Sequence, residues 1–231
     1  MDSSLPSPLQ ADPRDNKKYH FIDTPQRRLV VALLRALFAP IMKMEVTGQE
    51  NFPHEGPVIF ASNHVTNYDV FPIQFSISRP LFFMGKAELF KNPLMDVFLR
   101  NLSAFPVNRG DKDLWSMKHA LKVLRHGQAL GMFPEGTRSQ GRGLSVAKTG
   151  TARLAIEAQC PIVPVTVVGS NRFFEQFPRR TLVRITLLPA LMPKPNESPL
   201  ALTDRLMFTI AQALPEEMRG VYARVPEGFG G

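Results

Sequence analysis

After Gly48 the chain alternates short apolar runs with stretches of helical periodicity, and this alternation constrains the fold more than any other feature of its 231 residues. Residues 57–62 read PVIFAS, a compact apolar run bounded by turn residues, which predicts a short buried strand. Residues 129–133 and 162–168 predict two more strands, and 182–188 a fourth with a partly alternating pattern. Helical patterns lie between them. Asn92 followed by Pro93 is a cap with proline at the first helical position, opening a helix through Leu94, Val97 and Phe98. Asp113 precedes a second, in which Leu114, Met117, Leu121 and Leu124 recur at helical spacing until Gly127 ends it. Residues 151–159 are helix-prone, and 203–214 predict a last helix with Leu206 and Ile210 facing inward. The expected fold class is α/β: a single domain with a mostly parallel sheet flanked by helices, plus an N-terminal interfacial helix.

That first helix is drawn from residues 29–42, LVVALLRALFAPIM, with Arg27 and Arg28 before it and Lys43 after it. A membrane span needs about 20 apolar residues, and this run is shorter and carries Arg35 in its middle. It is expected not to cross a bilayer. Two readings remain, a helix lying in the membrane interface with its basic residues towards the headgroups, or a plain core helix. The organisation expected is a flexible polar N-terminus over 1–25, a basic amphipathic or interfacial helix over 26–44, one large domain over 45–215 and a loose C-terminal tail over 216–231. Residues 1–18 are rich in Pro and Asp with no apolar stretch, so no secretory signal is read there and a cytoplasmic location is expected.

Lys and Arg total 28 against 20 Asp and Glu, a formal charge of +8 that favours an anionic partner. Nucleic acid, an anionic bilayer and a phosphorylated substrate all fit that charge. The single cysteine, Cys160, excludes an internal disulfide and offers no zinc-type cluster; it reads as a small core residue beside the apolar run that follows it.

Chemistry enters at the end of the first predicted strand, with Asn63, His64, Val65, Thr66, Asn67, Tyr68 and Asp69. On a regular helix five residues leave His64 and Asp69 about 140° apart, so they meet only if His64 sits in the turn before a helix and Asp69 near its start. Pro72 fits that layout, since proline is tolerated in the first turn. A histidine bonded to a carboxylate is held in one tautomer as a base, which acyl transfer needs to deprotonate a nucleophile. Directly after the second strand comes FPEGTRS, residues 133–139. Gly136 permits close backbone approach, while Thr137, Arg138 and Ser139 supply donors suited to phosphate. If the strands are parallel, both segments stand on one rim of the sheet, where ligands of open α/β sheets bind.

In this order the segments resemble the glycerolipid acyltransferases typified by lysophosphatidic acid acyltransferase. Asn63, His64 and Asp69 resemble the family's His-x-x-x-x-Asp block, and FPVNR ending in Arg109 its second block. FPEGTR, residues 133–138, is similar to the third, and IVPV, residues 162–165, to the fourth. The likeness covers roughly 45–189. Two departures stand in the second block: Ser103 occupies the position of a usual glycine, and Asn108 that of a frequent acidic residue.

The resemblance implies that His64 is the general base and Asp69 orients it, while Arg109 with Glu135, Gly136, Thr137 and Arg138 holds the glycerol phosphate. Glu135, which would repel phosphate, is expected to brace an arginine or bond an acceptor hydroxyl. The block around Pro164 belongs to the acyl-donor side or to structure, and its strand context favours structure. Lys148 and Arg153 are further basic candidates, or simply a solvated helix end. The implied reaction carries an acyl group from acyl-CoA or acyl carrier protein to the free hydroxyl of 1-acylglycerol 3-phosphate, forming phosphatidic acid. It needs no acyl-enzyme, metal or bound cofactor, since the donor enters as a co-substrate. The expected partners are the anionic lysophospholipid, the acyl donor and a membrane surface, with no nucleic acid. Alternatives are a related enzyme acting on glycerol 3-phosphate, another lysophospholipid or a lyso-aminolipid, and a non-catalytic basic binding module.

Overall fold

Strand β2 (Val58–Ser62) is buried along its whole length. Ile59 and Ala61 face one hydrophobic cluster and Val58 and Phe60 another, as a two-residue period requires when both faces of a sheet are covered. The computed structural model describes residues 12–108, 113–173, 175 and 177–225. The other strands are β1 (Met42–Thr47), β3 (Leu81–Lys86), β4 (Ala104–Val107), β5 (Ala129–Met132), β6 (Ile162–Val168) and β7 (Thr181–Leu187). They form a seven-stranded sheet in the order β1-β7-β6-β2-β5-β3-β4. The five strands from β6 to β4 are parallel. β7 runs against β6, and β1 is parallel to β7, so the sheet is mostly parallel with a reversed pair at one edge.

Helices cover both faces. Leu121 and Leu124 of α4 (Leu114–Arg125), Leu154 of α5 (Gly150–Ala158) and Leu206 and Ile210 of α6 (Pro199–Ala213) pack against Ile59, Leu130 and Ile162. Phe38 of α1 (Pro25–Phe38) and Ile73 and Phe75 of α2 (Val70–Ser76) pack against Phe60, Val163, Val165 and Ile185. Each buried side chain of this size contributes roughly 1.5–3 kcal/mol, so the two clusters are the main driving force for the fold. The remaining helix, α3 (Pro93–Asn101), is capped as its sequence predicts: the Asn92 side chain accepts from the amides of Leu94 and Met95.

Three strands lie outside the sequence expectations. β1 and β4 are the two edges of the sheet. β1 buries only Met42 and half-buries Met44 and Val46, with exposed residues between them, and β4 is four residues long and contains Pro106, whose missing N–H is tolerated at an edge. β3 is a continuous apolar run, LFFMGK, which periodicity alone does not separate from buried helix.

The expected boundaries also need correction. The helix expected over 26–44 stops at Phe38, just before Pro40, and Met42 already pairs with Thr181 in β1. Residues 12–24 pack on the domain: Arg14 reaches Asp113 at 2.6 Å, and Tyr19 meets His119 edge-on with Phe21 tilted beside it. The described part of the tail, 216–225, packs on the domain: the amide of Leu144 bonds the Met218 carbonyl, and the Tyr222 hydroxyl accepts from the amide of Ala147.

Ser103, at the position where the resemblance expects glycine, adopts φ 62°. That conformation favours glycine, and the serine that takes it here gains a partner. Its hydroxyl accepts from Nε of Arg27, a buried α1 side chain that also bonds Gln74 at 2.7 Å and Asp23 at 3.1 Å. Ser103 thus helps fasten α1 to the sheet. On the opposite side of α1, Leu29, Leu33 and Leu37 are 61%, 62% and 67% exposed. Their spacing of four places them in one stripe along the helix. Among the described residues no helix is long and apolar enough to cross a membrane.

Candidate active site

β2 ends at Ser62, and the side-chain amide of Asn63 then pairs with the backbone of Val167 at the end of β6, donating to its carbonyl at 2.9 Å and accepting from its amide at 2.8 Å. This fixes where the chain turns. His64 occupies the turn, Asp69 is the N-cap of α2, and Pro72 falls in the first helical turn. The layout inferred from their spacing is the one adopted. Nδ1 of His64 lies 2.9 Å from Oδ2 of Asp69, with His64 6% and Asp69 0% exposed.

The amides of Val65 and Thr66 donate to Oδ2 of Asp69 at 2.7 and 2.9 Å. The hydroxyls of Thr66 and Ser170 reach Oδ1 at 3.1 and 2.5 Å. A carboxylate surrounded by donors takes the acceptor role, so Nδ1 of His64 donates to it, and in the neutral imidazole the lone pair stands on Nε2. The imidazole also stacks on Phe133, centroids 3.9 Å apart, and Phe83 stacks behind Phe133 at 6.1 Å. Phe83 can lie there because its β5 neighbour is Gly131, where a Cβ would strike the Phe83 ring.

Since β2 and β5 are parallel, the loop after β5 stands on the rim that carries His64. Gly136 (φ 68°) and Thr137 are exposed there, and Nη1 of Arg138 donates to Oδ1 of Asn67 at 2.8 Å, across the His64–Asp69 turn. Lys148 joins the rim, its side chain lying close enough to Gly136 for a Cβ there to meet Cδ and Cε at 3.3 Å. Arg153 instead bonds Thr149, one turn back. Arg109 lies outside the described residues; β4, parallel to β3, brings the chain to the same rim at Val107.

Glu135 has a position that the sequence does not suggest. It is buried, and among the described residues it bonds no arginine. Its Oε1 accepts from the amide of His64 at 3.0 Å, and its Oε2 accepts from the amide and hydroxyl of Ser145 at 2.8 and 3.0 Å. The amide of Ser139 returns a bond to the His64 carbonyl at 2.7 Å. Glu135 therefore braces the backbone of the histidine turn, and facing an acceptor hydroxyl would cost it these bonds.

Neither Cys160 nor His119 offers a second reactive centre. Burial pushes the Cys160 thiol up to about 12, keeping it a protonated core group. Burial likewise pushes His119 down to about 4, so it is neutral among Tyr19, Phe105 and Trp115. Ser145 and Ser170 escaped the sequence reading because each acts through a contact made only in the fold. Pro164 sits inside β6 next to Ala61. Its carbonyl accepts from Leu188, while its missing N–H deletes the return bond just beyond the end of β7, a structural role.

A family model described as Acyltransferase matches residues 43–168, which contain the histidine turn and the loop after β5. The chain belongs to the acyltransferase family. It is 32% identical over 154 residues to a 1-acyl-sn-glycerol-3-phosphate acyltransferase of Borreliella burgdorferi, covering 64% of this chain and 62% of that protein. It is 29% identical over 189 residues to one of Chlamydomonas reinhardtii, covering 79% of this chain and 56% of that one. The acyltransferase chain thus spans less than two thirds of these relatives. Its fold matches the crystal structure of the 1-acyl-sn-glycerophosphate acyltransferase PlsC from Thermotoga maritima with a TM-score of 0.68, at 22% identity, over 81% of this chain and 77% of that one.

Proposed function

We propose that this acyltransferase moves an acyl group from acyl-CoA or acyl carrier protein to the free hydroxyl of 1-acylglycerol 3-phosphate, forming phosphatidic acid. The observation that carries the reading is the buried His64–Asp69 pair, in which Nδ1 is held by Asp69 and Nε2 bonds none of the described residues, with Arg138 on the same rim. Nε2 takes the proton of the acceptor hydroxyl as its oxygen attacks the thioester carbonyl. The C–S bond then breaks, and the proton passes from Nε2 to the departing thiolate. A thioester is already activated, so a base and good positioning are sufficient and no cofactor is required. Arg138 and Arg109 are assigned to the acceptor phosphate, which a guanidinium grips with two parallel hydrogen bonds. A small, mostly apolar cleft lined by Val31, Leu34, Phe71, Gln74, Phe75 and Phe83 shares Phe83 with the stack on Phe133.

Arg138→Ala tests the phosphate assignment. Losing charged hydrogen bonds is expected to cost about 10- to 150-fold in kcat/KM for lysophosphatidic acid. Activity on monoacylglycerol, which has no phosphate, is expected to change little. Equal losses on both acceptors would remove Arg138 from the phosphate site. A panel with glycerol 3-phosphate, other lysophospholipids and a lyso-aminolipid assigns the acceptor, and a wild type preferring any of these over lysophosphatidic acid would overturn the reading.

The same proposal places the protein peripherally at the cytoplasmic membrane surface, with the Leu29, Leu33 and Leu37 stripe of α1 in the lipid interface. Deleting α1 would be a poor test, because Arg27 and Phe38 belong to the fold. A triple Leu29→Gln, Leu33→Gln, Leu37→Gln variant keeps them. Its partitioning onto anionic liposomes in flotation is expected to fall about 10-fold or more, given the apolar area removed from lipid. Unchanged flotation would leave the stripe without a lipid role.

A further inference from the structure

Oδ1 and Oδ2 of Asp69 are held in different ways. The donors to Oδ2 are His64, Val65 and Thr66, all from its own turn, and the Thr66 hydroxyl on Oδ1 is equally local. These groups move with the turn and do not fix it relative to the sheet. Among the described residues, only Ser170 ties the carboxylate to another element, its buried hydroxyl donating to Oδ1 at 2.5 Å across 101 residues of sequence.

The segment that presents Ser170 is itself fixed. β6 ends at Val168, anchored one residue earlier by the paired bonds between Val167 and Asn63. Gly169 then turns the chain at φ 97°, where a Cβ would strike the Leu182 carbonyl oxygen. Only glycine fits that turn. Ser170 follows at the start of a short 3-10 turn, Ser170–Arg172. Backbone and side chain together deliver one hydroxyl to a carboxylate of zero exposure.

We infer that Ser170 is a positioning residue for the acyl transfer, acting through Asp69: it fixes the rotation of the carboxylate, and so the direction in which Nε2 of His64 presents its lone pair. The inference rests on the reading of His64 and Asp69 as the base and its orienting partner. It assigns a kinetic role to a residue outside the four sequence blocks. Ser170 is 1% exposed with its hydroxyl on Asp69, so its loss is expected to act on turnover and not on binding.

Steady-state kinetics of the full chain in a double-mutant cycle test this. Ser170→Ala is expected to lower kcat about 10-fold with the acceptor KM within about twofold, the size of one charged hydrogen bond transmitted through a second group. In an Asp69→Asn background the same change is expected to cost less than about twofold, because there is no longer a carboxylate to orient. Ser170→Thr, which keeps the hydroxyl, is expected to restore most of the turnover. Where the alanine variant does not fold, Ser170→Cys gives the same reading, keeping the volume while replacing a strong donor with a weak one. An unchanged kcat in Ser170→Ala, or an equal loss in both backgrounds, would overturn the inference. If Asp69→Asn itself leaves kcat unchanged, the base-and-partner reading falls with it. If Asp69→Asn lowers kcat and Ser170→Ala acts independently, only the role of Ser170 falls.

Discussion

His64→Ala is expected to fold and to lose at least about 100-fold in turnover, the usual contribution of a general base. Folding should survive because the buried Asp69 is not left without donors. The amides of Val65 and Thr66 and the hydroxyls of Thr66 and Ser170 remain on it. The turn is also held through backbone atoms of residue 64, its amide on Glu135 and its carbonyl on Ser139, which alanine retains. What disappears is the imidazole and its stack on Phe133. Turnover of the purified variant is the decisive measurement, with thermal unfolding as the control for folding. A folded variant with near-normal turnover would refute the base assignment. A basic binding module would instead show no activity in wild type and the same liposome flotation in both proteins.

Much of this site is legible in the chain itself, for a physical reason. His64 and Asp69 are five residues apart, and helical geometry with one proline confines them to a turn where they can meet. The Gly136 to Arg138 loop follows a short apolar run bounded by Gly127 and Pro134, too brief for a typical helix, so parallel pairing is enough to bring it to the same rim. Local rules settle both. Glu135, Ser145 and Ser170 have no such signal, because their partners are fixed by tertiary contacts across 71, 10 and 101 positions of sequence. Strands β1 and β4 carry no local signal for a related reason. Edge strands β1 and β4 are half-exposed or interrupted by Pro106, and their identity comes from the neighbours they pair with. Ser103 is the instructive departure: its left-handed backbone meets the geometric need that glycine serves, and its hydroxyl gains a bond to Arg27 that glycine could not make.

Glu135→Ala is expected to reduce stability and turnover together, which separates a brace from a substrate-binding residue. Its carboxylate accepts the buried amide of His64 on one oxygen and the amide and hydroxyl of Ser145 on the other. Alanine leaves those donors unpaired in a site too enclosed for free solvation, at about 1–3 kcal/mol for each amide. For the two amides the sum is roughly 2–6 kcal/mol. For a chain of this size each kcal/mol lowers Tm by about 2–4 °C, so a fall of about 4–24 °C is expected in thermal unfolding. Turnover should drop as well, because the amide of His64 loses the contact that holds the ring's backbone against the loop after β5. Glu135→Gln keeps the shape but turns one end of the side chain into a donor facing a donor. It should recover part of the stability and part of the turnover, with the acceptor KM close to wild type in both variants. A substrate-binding glutamate would behave in the opposite way. Its loss would raise the acceptor KM and leave Tm in place, and that result would return Glu135 to the acceptor site.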